Sequence, residues 1–172
     1  AALSYRWAAD LFGPGAGLFA LFLSTFDPNV LSHASLATTD LPVTGMILAA
    51  SYGFFCWLRR PTPGRSLAAG LALGLALGAK LSSLALLPAL GLAILWQAWR
   101  EGRRLVPLLL GFLGILGWST LVLWAIYRFE TGTLGGWWVP MPTRWNSLWL
   151  LWLHQSAGHA AYFLGELSHE GW

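Results

Sequence analysis

Residues Leu105–Tyr127 read LVPLLLGFLGILGWSTLVLWAIY, with Arg103-Arg104 before the run and Arg128 after it. No charge interrupts it. Crossing a hydrocarbon core of about 30 Å takes roughly 20 helical residues, so this run is long enough to span a bilayer. Leu41–Leu58 and Leu81–Trp99 meet the same standard. Gly13–Phe26 and Ser66–Ala79 are shorter and need neighbouring residues to reach across, the first through Val30-Leu31 and the second past Lys80. The expectation is an all-α, polytopic transmembrane helical bundle of about five spans (residues 13–31, 41–58, 66–82, 83–99 and 105–127), followed by an outer-face segment, 128–172, with an interfacial helix.

Composition agrees with that reading. Of 172 residues, 56% are hydrophobic and only 10% charged, where a soluble domain carries about a quarter charged residues. The apolar fraction excludes a disordered chain, and the single Cys56 excludes a disulfide scaffold. Twelve Trp and twenty Gly fit a protein with interfacial aromatics and closely packed spans. The net charge of +3 would also suit nucleic acid, but the arginines lie in short clusters between apolar runs. Their place makes them a topology signal.

With the N-terminus inside, the cytoplasmic side holds Arg6, Arg59, Arg60, Arg65, Arg100, Arg103 and Arg104, seven of ten cations; Lys80, Arg128 and Arg144 fall outside. This obeys the positive-inside rule, and the opposite topology reverses it. Trp7, Trp57, Trp96 and Trp99 then fall at inner helix ends. The outer side receives Asp27, Asp40, Glu130, Glu166 and Glu170 and all four histidines, His33, His154, His159 and His169. Groups that move protons or hold polar ligands are therefore concentrated on the non-cytoplasmic face.

Asp40 follows the polar stretch His33-Ala34-Ser35-Leu36-Ala37-Thr38-Thr39 and precedes Leu41-Pro42. A helix cap explains it, since an Asp accepts backbone N–H bonds and a proline in the first turn loses nothing. A carboxylate at the outer boundary can also orient a metal, a sugar hydroxyl or a nucleophile. The two readings are compatible. Gly70, Gly74 and Gly78 recur every fourth residue and form one smooth helix face for close packing. Lys80, just beyond, is a cation in an apolar stretch. It either snorkels to the interface or offers a point charge to a phosphate on a lipid-linked donor.

In the outer segment, Trp145, Trp149 and Trp152 with Leu148 and Leu151 have the spacing of an interfacial amphipathic helix. His159 and Glu166, seven apart, would share a helix face. They lack the ligand number and spacing of a metal motif, so substrate hydrogen bonding or a soluble-side helix end is the preferred reading. No cofactor is fixed by the sequence; a divalent metal is the only one these acids and histidines would suit. Gly13-Pro14-Gly15-Ala16-Gly17 lacks the Lys-Ser/Thr of a phosphate loop and reads as a helix start. Cys56 reads as a small apolar residue.

The order Leu11-Phe12-Gly13-Pro14-Gly15-Ala16-Gly17-Leu18, then His33…Thr38-Thr39-Asp40-Leu41-Pro42, then Gly70-Leu71-Ala72-Leu73-Gly74-Leu75-Ala76…Lys80 resembles glycosyltransferase family 39. These are the dolichyl-phosphate-mannose–protein mannosyltransferases and their bacterial relatives, including the lipid A aminoarabinose transferases. The tail Gly158-His159…Tyr162-Phe163-Leu164-Gly165-Glu166…Gly171-Trp172 is similar to a segment of prokaryotic members that runs on into further spans. The resemblance implies a GT-C fold in the plasma or inner membrane, with the active site on the non-cytoplasmic face. It implies transfer of a sugar from a polyprenyl-phosphate carrier to a protein or lipid acceptor, with inversion at the anomeric carbon. Asp40 matches an acidic position near the active site. Lys80 matches a basic residue that commonly follows Thr, where Ala79 stands here. The family's first-loop acidic pair, with the catalytic base, has no match and is expected upstream of Ala1. These residues are thus expected to be an internal fragment, inactive alone.

On this reading Asp40 supports the site as an acid, while Lys80, His33, His159, Glu166, Arg128 and Arg144 contact substrate, beside membrane lipids and with no nucleic acid as partner. A secondary transporter is the alternative, but it should show paired interrupted spans in two halves; none is visible. A non-catalytic membrane scaffold would explain the packing glycines and leave the outward acids and histidines without a reason.

Overall fold

The computed structural model describes residues 1–35, 39–156, 161–163 and 166–168. It is helical through most of its length, and the chain divides into two units, Ala1–Leu123 and Trp124–Trp172. The first unit contains α1 (Ala2–Phe12), α2 (Pro14–Phe26), α3 (Pro28–Ser35), α4 (Asp40–Arg59), α5 (Pro63–Ala79), a 3-10 turn (Leu81–Ala85), α6 (Leu86–Glu101) and most of α7 (Leu105–Ile126). Among the described residues, three segments are long and apolar enough to cross a membrane: Asp40–Arg59, Leu81–Glu101 and Leu105–Ile126. Pro14–Phe26 is a shorter apolar helix, and α5 has 17 residues, or about 25 Å.

Helix starts follow the sequence signals. Gly13, at φ 93°, precedes Pro14 at the first position of α2, so the glycine-rich stretch is a helix start, as expected. Pro63 similarly opens α5, and the Thr62 side chain accepts a bond from the Arg65 backbone N–H. Two boundaries differ from expectation. The span drawn over residues 13–31 breaks at Asp27, which takes an extended conformation because a residue before proline is driven out of the helical region. The Asp27 carboxylate then accepts the N–H groups of Asn29 and Val30, at 2.8 and 3.0 Å, and starts α3. The span drawn over 66–82 ends at Ala79, with Lys80 extended at φ −154°. There the buried Ser83 hydroxyl lies 2.8 Å from the Ala76 carbonyl and 2.6 Å from that of Lys80, satisfying the freed backbone.

The packing is small-residue packing. A methyl on Gly53 of α4 would lie 3.2 Å from the Ala69 Cα of α5, and one on Gly74 would meet the Ser119 carbonyl of α7 at 2.7 Å. Gly70 makes the same close approach to Ile115 and Trp118 of α7, so the glycine stripe read from the sequence is a packing face. Ala50, Phe54, Trp57, Leu73, Ala76, Ile94 and Ile115 are buried between the helices. Phe19, Phe22, Leu92, Val106, Leu110 and Leu113 are large, apolar and exposed. Glycines at the closest helix approaches and large apolar residues on the outside are the pattern of helices whose solvent is lipid.

The second unit contains structure the helical reading did not foresee. β1 (Thr131–Leu134) pairs antiparallel with β2 (Trp137–Pro140) through Gly135-Gly136, both at positive φ, the geometry a two-residue hairpin turn demands. α8 (Pro142–Ser156) follows and carries Trp145, Trp149 and Trp152, all exposed. β3 (Ala161–Phe163) then pairs antiparallel with β4 (Glu166–Ser168). Glu166 therefore lies in a strand, and the helix face expected to unite it with His159 does not form. Tyr162-Phe163 favours a strand over a helix, and His159 itself lies outside the described residues.

Candidate active site

Asp40 begins α4, while Lys80 follows the last residue of α5. Because α4 and α5 run antiparallel, residues forty positions apart meet, and the Lys80 Nζ donates to the Asp40 Oδ1 at 2.6 Å. Both side chains are about half exposed, 45% for Lys80 and 48% for Asp40. The capping role foreseen for Asp40 is corrected by this geometry. Thr39 occupies the N-cap position, Asp40 is the first helical residue, and its carboxylate faces a cation. Its backbone carbonyl accepts the Thr44 hydroxyl at 2.7 Å.

His33, in the last turn of α3, shares a cavity of about 230 Å³ with Asp40, Asn29, Val30, Leu41 and Thr44. The break at Asp27 makes this possible, because a continuous helix through residue 31 would not start α3 where the Asp27 carboxylate caps it. Asp40, Lys80 and His33 are thus gathered at one end of the first unit. Chemically this is an anion, a cation and a titratable ring beside a small cavity. Ammonium carries three N–H donors, and one goes to Asp40. The remaining two can meet the oxygens of a phosphate. Ser83 is the residue that sequence reasoning missed: its hydroxyl fixes the backbone that carries Lys80. The signal was a pair of hydroxyls, Ser82-Ser83, inside an apolar run.

The other expected site residues fall in the second unit. Arg128 follows α7 at φ 55° and is exposed. Its N–H donates to the Ala125 carbonyl at 2.9 Å, and that of Phe129 to Trp124 at 2.8 Å, the paired bonds of a Schellman motif with arginine where glycine is usual. Arg144 is 6% exposed, and among the described residues no carboxylate lies within ion-pair distance of it. Glu130 is engaged structurally: its carboxylate accepts the Thr143 hydroxyl at 2.6 Å, and its carbonyl accepts the Trp124 indole N–H at 2.9 Å. Glu166 is placed by its backbone in β4. No group of three or more His, Cys, Asp or Glu that could hold a metal occurs among the described residues.

No curated protein and no solved structure matches this chain. A family model does, over residues 1–124, and it contains Asp40, Lys80 and every helix of the first unit. Together with helices long and apolar enough to cross a bilayer, this match makes the chain an integral membrane protein of the glycosyltransferase type, a member of the dolichyl-phosphate-mannose-protein mannosyltransferase family.

Proposed function

We propose that this chain binds a polyprenyl-phosphate-linked sugar at the Asp40–Lys80 end of α4 and α5 and takes part in its transfer to a protein or lipid acceptor on the non-cytoplasmic face. The contact of Lys80 with Asp40 at 2.6 Å carries the reading. Lys80 supplies positive charge to the phosphate that leaves the anomeric carbon, where charge develops in the transition state. Asp40 holds the ammonium in place and, with His33, orients hydroxyls of the sugar or acceptor. In the second unit, Arg144 and Arg128 are further contacts for substrate anions. A buried guanidinium with no carboxylate partner among the described residues suits that role.

The test separates stability from catalysis. A half-exposed ion pair contributes little to folding, so Lys80→Ala and Asp40→Asn should leave the melting temperature of the full-length protein nearly unchanged. Lys80→Ala should lower transfer from a polyprenyl-phosphate sugar by about 10²-fold or more, the scale of losing one transition-state charge contact. Lys80→Arg should recover part of the loss. Wild-type turnover in both Lys80→Ala and Asp40→Asn overturns the assignment.

A further inference from the structure

At the other end of the α4–α5 hairpin lies a second charged cavity. α4 has 20 residues, so its last turn stands about 30 Å from Asp40. There Asp10, Phe55, Cys56, Arg59, Arg60 and Arg65 line a cavity of about 240 Å³. Its acid is already engaged: the Asp10 carboxylate accepts the Tyr52 hydroxyl at 2.7 Å and pairs with Arg6 at 3.5 Å. Among the described residues, Arg59, Arg60 and Arg65 have no carboxylate within ion-pair distance.

Two of the guanidinium groups, those of Arg65 and Arg59, are held in place by neutral partners. Arg65 Nη1 donates to the Cys56 carbonyl at 2.8 Å and to that of Arg60 at 3.4 Å, which closes the end of α4 and leaves its other N–H donors for a ligand. Arg59 lies 4.9 Å over the Phe55 ring, a cation–π contact that orients the fork without neutralising it. Three guanidinium groups at one mouth, two of them held in place, match the oxygens of a phosphate, which guanidinium binds bidentately. The size also selects. The cavity is below the roughly 300–1,000 Å³ of a small-molecule site, which suits a head group whose remainder lies in the bilayer. Basic pockets between spans are where anionic head groups bind.

We infer that this cavity is a binding site for a phosphate diester, the head group of an anionic phospholipid, distinct from the Asp40–Lys80 site and independent of the transferase reading.

Native mass spectrometry of the full-length protein tests it, with added phosphatidylglycerol, phosphatidylcholine or inorganic phosphate as probes. The variants are Arg59→Gln/Arg60→Gln, whose side chains close no helix end, and Arg100→Gln/Arg104→Gln as a control of equal charge change. The wild type and the control should retain phosphatidylglycerol in preference to phosphatidylcholine. The Arg59/Arg60 variant should bind it about 30-fold more weakly, from the roughly fivefold each basic side chain contributes near an anionic surface. Its phosphatidylcholine retention should not change, which excludes misfolding. Equal phosphatidylglycerol retention by the wild type and the Arg59/Arg60 variant overturns the site. Binding of inorganic phosphate with no preference between the two lipids assigns a free anion and overturns the lipid.

Discussion

Lys80 is extended at φ −154° and ψ 136°, and that single conformation turns its side chain from an interruption of an apolar helix into the partner of Asp40. Arg128 shows the opposite economy. It occupies the left-handed C′ position after α7 at φ 55°, where an L side chain costs about 1–2 kcal/mol and glycine costs nothing. A strained conformation that persists is one a neighbouring requirement has kept; here the proposed requirement is the charge. Arg128→Gly should therefore raise the melting temperature of the protein, by an amount equivalent to about 1 kcal/mol, while lowering sugar transfer. Arg128→Asn should keep the turn and lose the charge. A scan of thermal unfolding beside the transfer assay checks both. If Arg128→Gly is more stable and fully active, the residue's charge serves nothing in transfer.

At the scale of elements, the α4–α5 hairpin is joined at each end by a basic side chain, Lys80 on Asp40 and Arg65 on the Cys56 carbonyl. Between them the packing depends on missing side chains. A methyl on Gly74 would already crowd Val122 Cβ at 2.6 Å and the Ser119 carbonyl at 2.7 Å. Backbone cannot yield as a side-chain tip can. Gly74→Leu should cost about 1–3 kcal/mol or more through overpacking, whereas Gly91→Ala, where nothing lies within 4 Å, should change little. Thermal unfolding in detergent measures the difference, and equal midpoints for the two variants would remove close packing as the reason for the stripe. The stripe was legible in the sequence because a four-residue period of glycines has one simple geometric meaning. So was the meeting end of Asp40 and Lys80, since antiparallel spans return to the same face. The β1–β2 hairpin was missed although Gly135-Gly136 between Leu134 and Trp137 is a hairpin signal. Apolar periodicity outweighed a local turn. The His159–Glu166 pairing failed for a related reason: a seven-residue interval carries no helical meaning unless the residues between are helical, and Tyr162-Phe163 are in a strand.

Across the whole molecule, the distribution of charge sets which end faces which compartment. The first unit places Asp40 and Lys80 at one end of a helix about 30 Å long and Arg59, Arg60 and Arg65 at the other, a separation equal to the hydrocarbon thickness. With α4 spanning the bilayer, the two sites lie at opposite membrane surfaces. From the arginine excess we propose that the Arg59–Arg65 end faces the cytoplasm and Lys80 the outside, where the proposed donor is used. These 172 residues hold a single cysteine, so replacing Cys56 and any cysteine outside them by Ala gives a background in which one introduced thiol reports one position. In that background, Ser82→Cys, beside the Lys80 site, should react with a membrane-impermeant maleimide applied outside intact cells. Thr62→Cys, in the loop between the arginines, should react only after permeabilisation. Reversed labelling would move the Asp40–Lys80 site to the cytoplasmic face and exclude transfer on the outside. Outside labelling at both positions would mean that α4 and α5 do not cross the bilayer as a pair, and would withdraw the spanning hairpin from the fold.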